Sequence, residues 1–473
     1  MTDLKTDFVH LHVHTNYSLL ESTIRLENLF NKLREHQMSA IAITDHGNLF
    51  GAIEFYQQAQ KVGIKPIIGC ELHVAPKSRF DKSSASIAES SHHLIILVKN
   101  MQGYKNLLKL TTAGYLEGFY YTPRVDKELL QRYSDGLVAT SACLQGEVAS
   151  YLLKGDREAA VGAASEYQDI FGMGNFYLEI MENGLPEQKI VNKGIMEISR
   201  LLSIPVVATN NCHYLQADDA EAYYILMCIR AGKTLGDTER KRFETSQFYL
   251  RSPREMMHLF SYCPEAISNT VLIAEKCDLN LELSDLLQPS GRLANVSAPD
   301  HFTGALAHSR VEEILSLSGA NSNKEKRDVI FRYLTEKYGY DRLARIISFR
   351  KMRARSVVRY VGRAMNIPDE ELEAITKIIP RNRNISLKDI INQVPRLQEA
   401  IRANKTTEKL LNLSQALEGL DIQSTVHPTG AVISDSPLIN KTPLCMNSNG
   451  ELVTQYNRDN LRSLGLRTFD LMI

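Results

Sequence analysis

Three histidines alternate with apolar residues near the start of the chain, in His10-Leu11-His12-Val13-His14. In an extended segment that spacing puts all three imidazoles on one face. Other metal-ligating residue types recur at the ends of later β-branched runs. Asp45-His46 closes one run, Glu71 lies in another, His93 opens a third, and Cys143 and His213 close two more. Imidazole nitrogen, thiolate sulfur and carboxylate oxygen are the donors that hold Zn²⁺, Mn²⁺ or Fe²⁺. Taken singly, each residue has a plainer use: a strand-end histidine can cap, Cys143 can fill a core gap, and Asp45 can cap the helix that follows. Their joint recurrence at successive strand ends points instead to a metal centre, with Asp45 as a candidate catalytic carboxylate.

The elements that must position these groups are short strands alternating with helices. The strand candidates are residues 8–14, 39–46, 65–74, 93–98, 136–144, 175–181 and 205–213, with amphipathic stretches such as LENLFNKLREHQM between them. This is the pattern of a parallel α/β fold, and seven such units imply a distorted TIM-like barrel whose strand carboxyl ends meet at one mouth. From about residue 216 the pattern turns helical, so a first domain is expected over 1–285. Residues 286–323 read as a linker or remnant loop. Residues 324–473 form a second, mostly helical region, with KEKRDVIFRYLTEKYG and RLARIISFRKMRARSVVRYVGRAM expected as helices and TGAVISD and GELVTQY as extended segments.

Composition narrows the function class. The 473 residues are 44% hydrophobic and 23% charged, as expected of a globular protein. The sequence shows no apolar run of the ~18 residues that cross a bilayer, and MTDLKTDFVHLHVH lacks the apolar core of a signal peptide. Seven cysteines, odd in number and never spaced CxxC, argue against a disulfide framework and a four-thiolate zinc site, so a reducing cytoplasm is expected. With 55 basic and 55 acidic residues there is no global pull toward nucleic acid, which leaves local patches. One such patch runs from Arg342 to Arg363 and contains no acid: Arg342, Arg345, Arg350, Lys351, Arg353, Arg355, Arg359 and Arg363. Arg355, Arg359 and Arg363 are four apart, a ladder of guanidiniums on one helical face. We expect Arg350, Lys351, Arg353, Arg355, Arg359 and Arg363 to grip DNA or another phosphate.

The segments HLHVHTNYSLLES, AITDHGNLFGAIEFY, GIKPIIGCELHVAP, LEGFYYTPRVDKELL, GLPEQ and VVATNNCHYL resemble the polymerase and histidinol phosphatase (PHP) domain of the bacterial DNA polymerase III alpha subunit, from residue 8 to about 288. The resemblance implies a metal-dependent phosphoesterase or 3′–5′ exonuclease within a DNA replication protein, with Zn or Mn as cofactor and DNA and replisome subunits as partners. It also implies a nine-position ligand set on His12, His14, Glu21, His46, Glu71, His93, Cys143, Asn211 and His213. Glu21 stands where the family usually has Asp, and Asn211 where an Asp brings a charge that an amide does not. EKRDVIFRYLTEKYGYDRLARIISFRKMRARSVVRYVGRAM, TVHPTGAVISDSPL and ELVTQYNRDNLRSLGLRTFD resemble the polymerase palm, with Asp470 at the third catalytic carboxylate and Mg²⁺ implied at any residual site. The other two acids would fall on LSLSGANSN, where Leu317, Gly319 and Asn321 stand instead. The chemistry of two-metal transfer therefore predicts no polymerase activity in this chain. The rival readings are a non-catalytic DNA-binding or replisome-associated module and an active DNA-directed DNA polymerase.

Overall fold

Six of the seven apolar runs expected as strands become hydrogen-bonded strands of one curled sheet. In the computed structural model, which describes residues 7–237, 245–283, 308–381 and 385–471, these are β1 (Ala40–Ile43), β2 (Lys65–Val74), β3 (His92–Val98), β5 (Leu137–Thr140), β6 (Phe176–Met181) and β7 (Val206–Thr209), with a short β4 (Arg124–Val125) beside β2. The strand order is β1-β2-β3-β5-β6-β7. The fold is a mixed α/β half-barrel of the expected TIM-like kind.

Two expectations are corrected here. The segment 8–14 is not a regular strand. It lies between β1 and the end of β7, with Ala42 and Thr44 donating to the carbonyls of His10 and Val13 and Cys212 donating to that of His12. The sheet is also not all parallel, since β3 runs antiparallel to both β2 and β5. The 75–91 connection before β3 carries only the helical turn Ile87–Ser90, in place of the crossover helix a parallel return needs. This reversal has a chemical consequence. His93, at the amino end of its strand, lies beside the carboxyl-end residues of the parallel strands, so its register partner is His73 and it stands next to Glu71.

The second region is built on a five-stranded sheet of order β10-β11-β8-β9-β12, comprising β8 (Leu343–Lys351), β9 (Asp421–Ile433), β10 (Leu444–Met446), β11 (Leu452–Thr454) and β12 (Arg467–Asp470). The extended segments TGAVISD and GELVTQY contribute to β9 and β11. The stretch 343–351, expected to be helical, is instead a strand paired with β9 and β11. Its alternation explains why: Ala344 and Ile346 join the core shared with the barrel, while Leu343 and Arg345 face the helix Asn323–Tyr338, where Arg345 stacks over Phe331. Helix begins only at Ala354 and runs to Ala364. Residues 284–307, where the expected linker begins, lie outside the described residues; from His308 to Ser318 the chain is helical rather than a loop.

One hydrophobic cluster spans both regions. It joins barrel residues such as Ile41, Ile68 and Leu107 to Ile346, Val432, Leu444 and Tyr456 of the second sheet. Polar ties cross the same seam, among them Tyr104 to Tyr456 at 2.8 Å and Leu49 N to Gln455 Oε1 at 3.0 Å. A second cluster packs Ala222, Ile225, Leu226 and Cys228 of helix Ala220–Ala231 against Val357, Val361, Leu410 and Leu411. Ile225→Ala should therefore cost about 2–5 kcal/mol through the lost methyls and the cavity left behind. Denaturant unfolding followed by separate barrel and C-terminal probes should show both transitions shifting together. A shift confined to one region would contradict the shared core.

Candidate metal centre

Glu71 reaches the barrel mouth from β2 with no solvent exposure. Four imidazoles surround it. His93 Nδ1 and His46 Nδ1 lie 2.6 and 2.7 Å from its Oε1, and His12 Nε2 and His14 Nε2 lie 2.9 and 3.7 Å from its Oε2. Two three-residue groups result, His12–His14–Glu71 and His46–Glu71–His93, each with ligand atoms within 4.8 Å of one another. Glu71 belongs to both and can bridge two cations. His213 stacks on His14 at 4.5 Å, and Cys143 Sγ lies 3.7 Å from His93 Nδ1. A cavity of about 500 Å³ opens over His46, Glu71, His93, Cys143, Asn211 and His213.

The outward hydrogen bonds fix where the imidazole protons sit. His12 Nδ1–H donates to Glu179 at 2.7 Å, and His213 Nδ1–H donates to the Glu21 carbonyl at 2.6 Å. His14 Nδ1 lies 3.1 Å from Ser18 Oγ, whose own proton goes to Asp45 at 2.6 Å, so His14 must be the donor. His14 and His213 therefore turn an Nε2 lone pair inward, the tautomer a metal requires, and His12 would do so on releasing the Nε2 proton it shares with Glu71 at 2.9 Å. His14 and His213 are further held neutral by burial and by the neighbouring His46: His14 lies well below its usual pKa and His213 at about 3. Burial also opposes charge on His12 and His46, but the carboxylates of Glu179 and Glu71 raise the first to about 9, and those of Glu21 and Glu71 raise the second to about 10. Glu71 stays ionised against its burial chiefly because of His93 and His46.

The residues fit a divalent cation. Although 2.7 Å apart, His46 Nδ1 and Glu71 Oε1 share no directed hydrogen bond, and both atoms are buried. Asn211 Oδ1 is buried and without a hydrogen-bond partner at the same cavity. Asn211 itself, at φ 48°, and Ala142, at φ 60° beside Cys143, occupy left-handed backbone, a strain that collects at functional sites.

Not every expected residue joins the cluster. His10 donates from Nε2 to the Arg251 carbonyl at 2.8 Å, and burial lowers its pKa to about 4, so it stands apart from the other imidazoles. Asp45 accepts from Thr15 N, Thr15 Oγ1 and Ser18 Oγ, which occupies both of its oxygens in ordering the 15–18 turn and, through Ser18, His14. Glu21 lies 2.8 Å from His46 Nε2, but its other oxygen is drawn to Arg230. Sequence reasoning passed over Glu179, His73 and Arg230. Glu179 was legible as an acid inside the apolar run FYLEIM. It is buried, holding His12 and accepting from Thr140 and Thr209. His73, two residues past Glu71 on β2, packs its ring 4.8 Å from that of His93, and burial with His93 and His46 lowers its pKa to about 3.

Away from the barrel mouth, Arg350, Lys351, Arg353, Arg355, Arg359 and Arg363 line one cavity of about 990 Å³, together with Arg381 and opposed by Asp369 and Glu373. Arg355 donates to the Thr376 carbonyl, and Arg363 lies 3.5 Å from Asp369. Arg345, from the same basic run, is buried between Asp328 and Glu451. Asp470, on β12, is held by both Arg458 Nη atoms, at 2.7 and 2.5 Å, and by Thr429 at 2.6 Å. Those bonds hold its carboxyl well below the usual range.

A PHP domain model matches residues 10–183, and a model described as the bacterial DNA polymerase III alpha NTPase domain matches residues 320–472. The chain joins a PHP domain to a DNA polymerase III alpha domain. Curated relatives named DNA polymerase III subunit alpha include that of Borreliella burgdorferi, 35% identical over 99% of this chain and 48% of the relative, and that of Treponema pallidum, 32% identical over 99% and 47%. The chain thus spans about half the length of the curated relatives it matches. Among solved structures, a chain described as a metal-dependent phosphoesterase from Bifidobacterium adolescentis is 13% identical, with a TM-score of 0.27, covering 53% of this chain and 95% of that one. Among the described residues, no helix is long and apolar enough to cross a membrane.

If Glu179 orients His12 as a ligand, Glu179→Gln should weaken binding of Zn²⁺ or Mn²⁺ by about 10- to 100-fold. A competitive chelator titration reads this directly, and an unchanged affinity would remove Glu179 from the supporting shell.

Proposed function

We propose that the barrel of this DNA polymerase III alpha relative is a metal-dependent phosphoesterase that works on DNA as a 3′–5′ exonuclease, and that polymerase chemistry is lost from this chain. The observation that carries the proposal is the sharing of buried Glu71 between two groups of imidazoles. Divalent cations bound there, zinc or manganese by donor type, would lower the pKa of a water and offset charge on the departing phosphate-ester oxygen. The chain's own residues supply the rest. Glu179, Ser18 and the Glu21 carbonyl hold the Nδ1 protons of His12, His14 and His213, so that Nε2 is the nitrogen each would offer a cation, His12 after losing its second proton. Asp45 acts through Ser18 as a positioning residue rather than at the reacting atoms. His46, His93 and Cys143 complete the ligand set, and Asn211 offers a neutral oxygen where a carboxylate would bind a cation more tightly.

The second reading, a non-catalytic DNA-binding or replisome-associated module, is favoured by two observations: Asn211 carries no charge, and Glu21 divides its carboxylate between His46 and Arg230. A polymerase needs paired carboxylates. Support for its loss comes from Asp470, both of whose oxygens are taken by Arg458, and from Leu317, Gly319 and Asn321, which carry no acid. DNA as a partner is supported by the relatives' name, and replisome subunits and a cytoplasmic setting are part of the same proposal.

With Mn²⁺, the full chain should remove nucleotides from the 3′ end of a 5′-labelled oligonucleotide. Chelation should abolish the reaction, and Asn211→Asp should quicken it. No cleavage with either Mn²⁺ or Zn²⁺ would favour the non-catalytic module. The same preparation should extend no primer with Mg²⁺ and four deoxynucleotides, whereas extension abolished by Asp470→Ala would overturn the loss of polymerase chemistry. Removing two phosphate contacts by Arg350→Ala with Arg359→Ala should flatten the log–log salt dependence of DNA binding by about two units. An identical slope would return the basic cavity to a solvated face.

A further inference from the structure

Helix Ala220–Ala231 serves two sites at once. One side packs Ala222, Ile225 and Leu226 into the second core, while Tyr223, Met227 and Arg230 reach the lining of the barrel cavity. Arg230 is the one Lys or Arg among the described residues of that lining. Its guanidinium pairs with Glu21, whose carboxylate also meets His46. An exposed pair of this kind contributes little to stability. This one is placed differently: Glu21 is 17% exposed, and Arg230, at 43%, borders the cavity that holds the metal-ligating side chains.

A phosphate ester offers more non-bridging oxygen than a metal cluster takes up, and a planar guanidinium can hold two such oxygens side by side. We infer that Arg230 is the phosphate-binding and specificity-determining residue of this cavity, exchanging Glu21 for the oxygens of an entering phosphate ester. The inference rests on the phosphoesterase reading and names the group that recognises its substrate. Glu21 holds the guanidinium at the mouth before substrate arrives, so less side-chain freedom is lost on binding. Packing of the helix between barrel and second core fixes the position of the clamp.

The test uses the full chain loaded with Mn²⁺ and inorganic phosphate as the probe, followed by titration calorimetry, with metal content and melting temperature measured on every sample. Wild type should bind phosphate. Arg230→Gln should weaken it about ten-fold or more, because a charge-assisted hydrogen-bonding group is removed. Arg230→Lys, which keeps the charge and loses the fork, should weaken it less, and Mn²⁺ content should stay the same in all three. Equal phosphate affinity in wild type and Arg230→Gln would overturn the inference while leaving the phosphoesterase reading intact. A wild type that holds Mn²⁺ but takes no phosphate would overturn both. If Arg230→Gln lowers the melting temperature, Arg230→Lys decides, and unchanged phosphate affinity in that variant overturns the assignment.

Discussion

A carboxylate with no solvent contact must find compensating partners inside the protein, and Glu71 is ringed by four imidazoles, of which, against the effect of burial, His12 and His46 have raised pKa values. Removing an ion from water costs several kcal/mol even after relaxation, and the cost is recovered only through close, well-directed partners. Most of the barrel mouth can be understood from that requirement. β3 turns antiparallel and so brings His93 to Glu71. The 8–14 segment is threaded between β1 and β7, which places His12 and His14 beside the same carboxylate. Without metal, the neighbouring carboxylates favour protons on His12 and His46, and metal binding would release them. The outward partners Glu179, Ser18 with Asp45, and the Glu21 carbonyl decide which ring nitrogen each imidazole turns inward.

The same mouth is tied to the second half of the chain. Helix Ala220–Ala231 contributes apolar residues to the core built by the Ala354–Ala364 and Lys405–Leu417 helices. The largest hydrophobic cluster runs from the barrel into the five-stranded sheet. Interiors packed this closely transmit displacement poorly as gradual deformation and favour discrete rearrangements. The polymerase-like half therefore shares its hydrophobic core with the barrel and with the helix that borders the mouth.

Much of this was legible in the residues themselves. The two-residue period of a strand placed His12 and His14 on one face, and strand-end logic gathered His46, Glu71, His93, Cys143 and His213 at one mouth. Glu21 and Asn211 entered only through family resemblance. The misreadings have physical causes. His10 obeys the same alternation as His12 but is satisfied by the Arg251 carbonyl, a partner 241 residues away. Glu179 gains its role from Thr140, Thr209 and His12 on three other segments, a convergence no local pattern carries. The stretch 343–351 was expected as part of one longer helical run that includes Arg355, Arg359 and Arg363, four apart. Pairing on both edges with β9 and β11 outweighs that weak local preference.

The Glu71 cluster, as a metal centre, can be told from a merely buried network of histidines and carboxylates by its metal content. Elemental analysis of the full chain purified without chelator, joined to a thermal melt before and after adding Zn²⁺ or Mn²⁺, tests it most directly. A metal centre should show at least one transition metal per chain, and a higher melting temperature when chelated protein is resupplied with metal. A chain that carries no stoichiometric metal and melts at the same temperature with and without either ion would contradict it.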